Sequence, residues 1–96
     1  MKPGFVYILT NRREGVLYIG VTSDLGARIG QHREGAVPGF AKIYNFHRLV
    51  WFERHDDLQG ARTAEVRMKR WKRDWKIRRI VERNPDWDDL VDQLNC

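Results

Sequence analysis

The chain has 96 residues, 42% of them hydrophobic, and carries 18 Lys and Arg against 13 Asp and Glu for a formal net charge of +5. That length fits one domain with a small core, here residues 1–96, and the four Trp, four Phe and three Tyr supply more apolar surface than a disordered chain offers. No apolar run approaches the ~20 residues of a membrane-spanning helix, and the single Cys96 cannot staple a small fold, which points to a cytoplasmic protein held together by packing. Taken in chain order, Phe5–Thr10 and Val16–Val21 are β-branched and aromatic, and Asn11–Gly15 between them is turn chemistry. This predicts a β-hairpin. The register that sets Tyr7 opposite Tyr18 is expected, since a slip of one residue would throw the rings onto opposite faces. Thr22, Ser23 and Asp24 offer cap side chains for a helix from Asp24 to Glu34, with Gly35 as its stop. Leu25 and Ile29 mark its buried stripe, and Arg28 and His32, four apart, project together. Gly35–Phe40, with Pro38 and Gly39, reads as a loop, and His47–Glu53 as a third strand.

A helix is predicted over Leu58–Arg73, with Ala61, Ala64, Met68, Trp71 and Trp75 stepping by three and four as a core stripe. A further helical stretch covers Trp75–Arg83 and ends at Asn84-Pro85, because the residue before proline avoids helical geometry. Asp86–Leu90 opens a short last helix whose acids suit the N-terminal dipole. The predicted class is α+β: a small three-stranded antiparallel sheet flanked by helices. His32, His47 and His55 lie in no zinc-type spacing.

The charge is uneven. Residues 62–83 hold ten basic and three acidic side chains, a net +7, whereas residues 84–96 hold four acids and no base. Thirteen of the basic residues are Arg, whose planar fork matches phosphate. Solubility accounts for the excess as well as a polyanionic partner does. Lys69, Arg70, Lys72 and Arg73 divide between solvent and a surface that tracks a nucleic-acid backbone.

Tyr7, Tyr18, Arg28, His32 and Glu65 each have an ordinary reading alone. The tyrosines are sheet residues, Arg28 is a solvated helix residue, His32 is a satisfied histidine, and Glu65 pairs with Lys69 one turn on. Their joint spacing is less ordinary. Tyr18 follows Tyr7 by eleven residues, Arg28 follows Tyr18 by ten, and His32 follows Arg28 by four. Here the chain resembles the GIY-YIG nuclease superfamily. Tyr18-Ile19-Gly20 matches the second half of the signature, while Phe5-Val6-Tyr7 stands where Gly-Ile-Tyr is usual. Gly39–Asn45, Leu49–Glu53, Ala64-Glu65 through Lys76, and Asn84–Trp87 resemble its small stand-alone bacterial branch. The Lys that members often carry shortly after the motif is absent from Val21-Thr22-Ser23.

The resemblance implies a divalent-metal-dependent endonuclease that hydrolyses DNA phosphodiesters in repair or nucleic-acid processing, with DNA ahead of RNA as partner. Glu65 is then the carboxylate ligand of Mg²⁺ or Mn²⁺, and Arg28 neutralises the scissile phosphate. Tyr18 or His32 handles the proton of the attacking water, and Tyr7 hydrogen-bonds nucleophile or phosphate. Lys69, Lys72 and Asn84 are candidate substrate-binding residues, Asn84 being more simply a turn residue. With no second domain to read bases, structure-selective or weakly selective cutting is expected, from a monomer or weak homodimer. The alternatives are a catalytically inactive nucleic-acid-binding module on the same fold and an interaction protein using the acidic Asp86–Asp92 segment.

Overall fold

The β-branched runs form strands and the three-four stripes form helices, as their periods require. The computed structural model describes residues 2–34 and 46–95, the side chain of Asn95 apart. The elements are β1 (Gly4–Thr10), β2 (Leu17–Thr22), α1 (Leu25–Arg33), β3 (Arg48–His55), α2 (Leu58–Lys69), α3 (Arg73–Arg83) and a 3-10 helix (Leu90–Asn95). The sheet order is β2-β1-β3, antiparallel throughout. The α+β class with three antiparallel strands and flanking helices is therefore as expected. The Gly35 stop, the Gly35–Phe40 loop, the Gly39–Asn45 segment and Cys96 lie outside the described residues.

The central strand β1 is an unbroken apolar run because helices cover both its faces. On one face Val6 and Ile8 join Ile19, Val50, Trp51, Ala61, Met68, Ile80 and Trp87 under α2 and α3. On the other, Tyr7 and Leu9 join Leu25, Ile29, Phe46 and Leu49, closed by α1 and by Leu90, Val91 and Leu94. Position 4 has no room for a side chain: a Cβ there would lie 2.7 Å from that of Ala61.

Four expectations are corrected. First, Tyr7 faces Gly20, and Tyr18 faces Leu9. The slip from the expected register is two residues, so parity is kept and both rings stay on one face as diagonal neighbours. Second, α2 stops at Lys69 rather than Arg73, and Lys72, in extended backbone, starts α3. An uninterrupted helix from Leu58 to Arg83 would run about 39 Å, longer than the molecule's longest extent of 34 Å. The Arg73 guanidinium fixes the new start by donating to the carbonyls of Glu14 and Gly15. Third, Trp75 is not core: it is 57% exposed. The break sets α3 with Ile77 and Ile80 on the sheet, and Trp75 lies about 200° round the helix from Ile77. Trp71 is half-buried against the core. Fourth, no helix opens at Asp86. Trp87 takes a positive φ of 57° and buries its ring, delaying the last helix to Leu90.

Asn84 makes that turn. Where β3 pairs with β1, Ile8 faces Trp51 and Leu9 faces Leu49, which leaves Val50 as an extra residue. The Asn84 amide nitrogen donates to the Val50 carbonyl at 3.1 Å and to the Asp88 carbonyl at 2.8 Å, and its oxygen accepts from the Asp88 N–H. Among the described residues no helix is long and apolar enough to cross a membrane.

Candidate active site

The site begins with a missing side chain. Tyr7 stands on the central strand and leans outward across Gly20 of the edge strand β2; a Cβ at position 20 would overlap its hydroxyl and Cζ. Glycine there admits a tyrosine ring to the sheet edge. Directly below, α1 starts at Asp24, whose carboxylate accepts from the Ala27 N–H, and this cap phases the helix so that His32 faces the sheet. His32 Nε2 lies 3.3 Å from the Tyr7 hydroxyl. Its ring meets Tyr18 edge-on at 5.1 Å between centroids and Tyr7 at 6.0 Å, and the tyrosines are 6.4 Å apart. Phe46 backs Tyr18 at 5.4 Å.

Burial decides the protonation states. The Tyr7 hydroxyl is pushed well above its usual range, first by desolvation and then by Tyr18, with the Glu65 carboxylate adding to the rise and the Arg28 guanidinium opposing it. His32 is 5% exposed. It is held below the ordinary histidine value by desolvation first and by Arg28 one turn earlier second. A histidine in the last turn of a helix is favoured as a cation by the dipole; here burial outweighs that, and the ring is neutral at pH 7. Tyr7 and His32 are thus a neutral buried pair, and Tyr18 is the half-buried tyrosine beside them.

Glu65 comes from α2, on the other side of the sheet, and its charge reaches Tyr7 at the sheet edge. Its side chain is 16% exposed, and Lys69, 54% exposed, sits 3.5 Å from Oε1. The ordinary helix-surface pair is therefore present. The lysine end of that pair is exposed, which leaves Lys69 free to swing into solvent while Glu65 keeps its place. The structure brings Tyr7, Tyr18 and His32 into direct ring contact, with Arg28 and Glu65 within electrostatic reach of Tyr7. Lys69 is engaged with Glu65, and Lys72 caps α3 through its backbone. Asn84 is 4% exposed, and its hydrogen bonds go to Val50 and Asp88 rather than to the cluster. Sequence reasoning did not find Phe46 as the backing of Tyr18; it carries no spacing signal, since it precedes β3 and belongs to no periodic element.

Among the described residues no three His, Cys, Asp or Glu side chains form a metal cage. A lone carboxylate at the edge of the cluster is the donor set that suits Mg²⁺, which keeps most of its waters and takes phosphate oxygens as further ligands.

The sequence matches, over residues 3–89, the family described as GIY-YIG catalytic domain. It is 32% identical over 83 residues to the UPF0213 proteins of Staphylococcus aureus strains Mu3 and N315, an alignment covering 86% of this chain and 100% of each relative. The solution NMR structure of a UPF0213 protein from Bacillus halodurans is similar with a TM-score of 0.56 at 24% identity, covering 91% of this chain and 92% of that one. At that identity the likeness bears on the fold alone.

Proposed function

The chain belongs to the GIY-YIG nuclease family, and on that footing we propose that it is a divalent-metal-dependent DNA endonuclease, structure-selective or weakly selective, acting in repair or nucleic-acid processing. The observation that carries this reading is the neutral Tyr7–His32 pair at the sheet edge, with Tyr18, Arg28 and Glu65 around it. Hydrolysis of a phosphodiester needs an oriented water, an acceptor for its proton and positive charge at the phosphate. Tyr18 is half-buried and open to substrate, so it orients the attacking water. His32, kept neutral, takes up the proton. Tyr7 stays protonated and is a positioning residue that fixes the imidazole. Arg28 neutralises the scissile phosphate with its fork. Glu65 would hold the metal ion, whose chemistry would be to supply charge at the phosphate and the leaving oxygen. Lys69, which pairs with Glu65 here, would be free to join Lys72 on the phosphate backbone once Glu65 held an ion.

The test is cleavage of nicked, branched, single-stranded and duplex DNA with Mg²⁺ or Mn²⁺. Wild type should cut, and Glu65→Gln and Arg28→Ala should each lose about 100-fold or more, the scale of removing one charge-stabilising group. Glu65→Gln cutting at the wild-type rate would overturn the proposal.

A second reading, an inactive binding module, is favoured by the Glu65–Lys69 pair and by Phe5-Val6 in place of Gly-Ile. It predicts salt-sensitive binding that Arg28→Ala weakens, and no product with either metal.

A further inference from the structure

We propose that the cleft beside α3 is a second, non-catalytic site, which binds an unpaired nucleotide of a nucleic-acid strand. On α3, Trp75, Arg78, Arg79 and Glu82 follow the i, i+3, i+4, i+7 spacing of one helix face. On that face Trp75, Arg78 and Glu82 are exposed, and Arg79 is half-buried. With Trp71 the face lines a cleft of about 340 Å³. Trp75 meets Trp71 edge-on at 6.4 Å and leaves more than half of its surface to solvent. Arg79 covers the Trp71 ring at 5.2 Å, so the ring open to a ligand is Trp75. A second recess of about 150 Å³ adjoins, sharing Trp71 and Arg79 and floored by Trp51 of β3.

The lining selects the ligand. The outer cleft holds two indoles, two guanidiniums and one carboxylate, and no aliphatic side chain, which is a poor seat for the apolar face of a protein helix. Neither Arg78 nor Arg79 has an acidic partner among the described residues. A flat exposed ring beside unpaired guanidiniums suits a ligand that is both planar and anionic. A nucleotide meets both demands: its base stacks on Trp75 and its phosphate takes the Arg fork. In a duplex the base faces are already stacked, so the ring accepts an unpaired base. The cleft opens on the α2/α3 side of the sheet, where Ile8 and Trp51 point, and Tyr7 points to the other side. It therefore lies across the sheet from Tyr7 and His32 and does not depend on the reading given to that cluster.

The experiment is binding without turnover. In EDTA, a single-stranded oligonucleotide of about ten nucleotides, within the range one such surface spans, is titrated into the full chain while tryptophan fluorescence and oligonucleotide anisotropy are followed. Quenching with saturable binding is expected. Trp75→Ala should weaken binding about fivefold or more, the low end of one lost stacking contact, Trp75→Phe should restore part of it, and Arg78→Ala with Arg79→Ala should weaken it and flatten its salt dependence. Because the titration is run in EDTA and reads binding without turnover, its outcome does not depend on whether the chain cleaves DNA. The proposal is overturned by an absence of binding, by Trp75→Ala binding as tightly as wild type, or by a blunt duplex binding equally well and losing equally.

Discussion

At the scale of single residues, His32 is where structure and chemistry meet most tightly. A histidine is a liability in a core because its cation resists desolvation. Here it is one wall of a ring cluster and hydrogen-bonds the Tyr7 hydroxyl. Its folded value lies below 6.5, whereas in the unfolded chain it titrates near 6.5. Between those values the unfolded chain binds a proton that the folded one does not, so acid favours unfolding. Stability is fully present above about pH 6.5 and declines as pH falls toward the folded value. Melting temperatures from pH 7.5 down to about 5 should fall in wild type. His32→Gln, neutral throughout, should have a lower melting point at pH 7.5 and a shallower fall. Equal slopes would show that His32 is not the residue that resists charging. In the cleavage assay the same variant should lose rate across the whole pH range if His32 receives the proton.

At the scale of elements, the turn after α3 joins sheet and helices through Asn84. The bulge at Val50 leaves a buried carbonyl without a ladder partner, and the Asn84 amide supplies it. Asn84→Ala should destabilise the fold by about 1–3 kcal/mol, because Val50 and Asp88 groups are left unsatisfied, and should lower the melting temperature by about 5–20 °C. Its oligonucleotide affinity, measured where the variant is folded, should match wild type; a selective loss of affinity with unchanged stability would return Asn84 to the substrate surface. Elements of this kind bound what the residues alone reveal. Strand and helix identities were legible because the β-branched runs and the three-four stripes are local. The pairing of Tyr7 with Gly20 was not, since a shift of two residues preserves the hydrophobic pattern. The place of the break between the two helices was not either: Trp71 and Trp75 continue the stripe in sequence, and the Arg73 contacts with Glu14 and Gly15 that fix the new start are non-local. The cluster itself was legible as a set of spacings. The burial that keeps His32 neutral depends on Phe46 and the sheet, and no spacing carries it.

At the scale of the molecule, the two sides of the sheet do different work and are tied together at the C-terminus. The net +7 of residues 62–83 lies on the side of α2 and α3. In the acidic segment after it Asp86, Asp88 and Asp92 are exposed, whereas Asp89 turns inward. Asp89 pairs with Arg33 at the end of α1 and accepts the backbone N–H groups of Leu49 and Val91. The 3-10 helix then lays Leu90, Val91 and Leu94 over the cluster that contains Tyr7, Leu25 and Ile29. This makes the last turn of chain part of the support of α1, and so of Arg28 and His32. Deleting Leu90–Cys96 removes three half-buried apolar side chains, roughly 2–4 kcal/mol of burial, from a domain whose whole stability is about 5–14 kcal/mol. The deletion should lower the melting temperature. It should also admit water to the α1 side, moving His32 back toward its ordinary value and shrinking the acid sensitivity described above, because desolvation is the larger cause of that shift. Both effects are read in one experiment: thermal melts of full-length and shortened chains at pH 7.5 and at about pH 5.5, a value below the unfolded histidine pKa. A shortened chain that melts lower at both values with an undiminished pH difference would place the 3-10 helix outside the support of the site. Unchanged melting would show that α1 is held by the sheet alone.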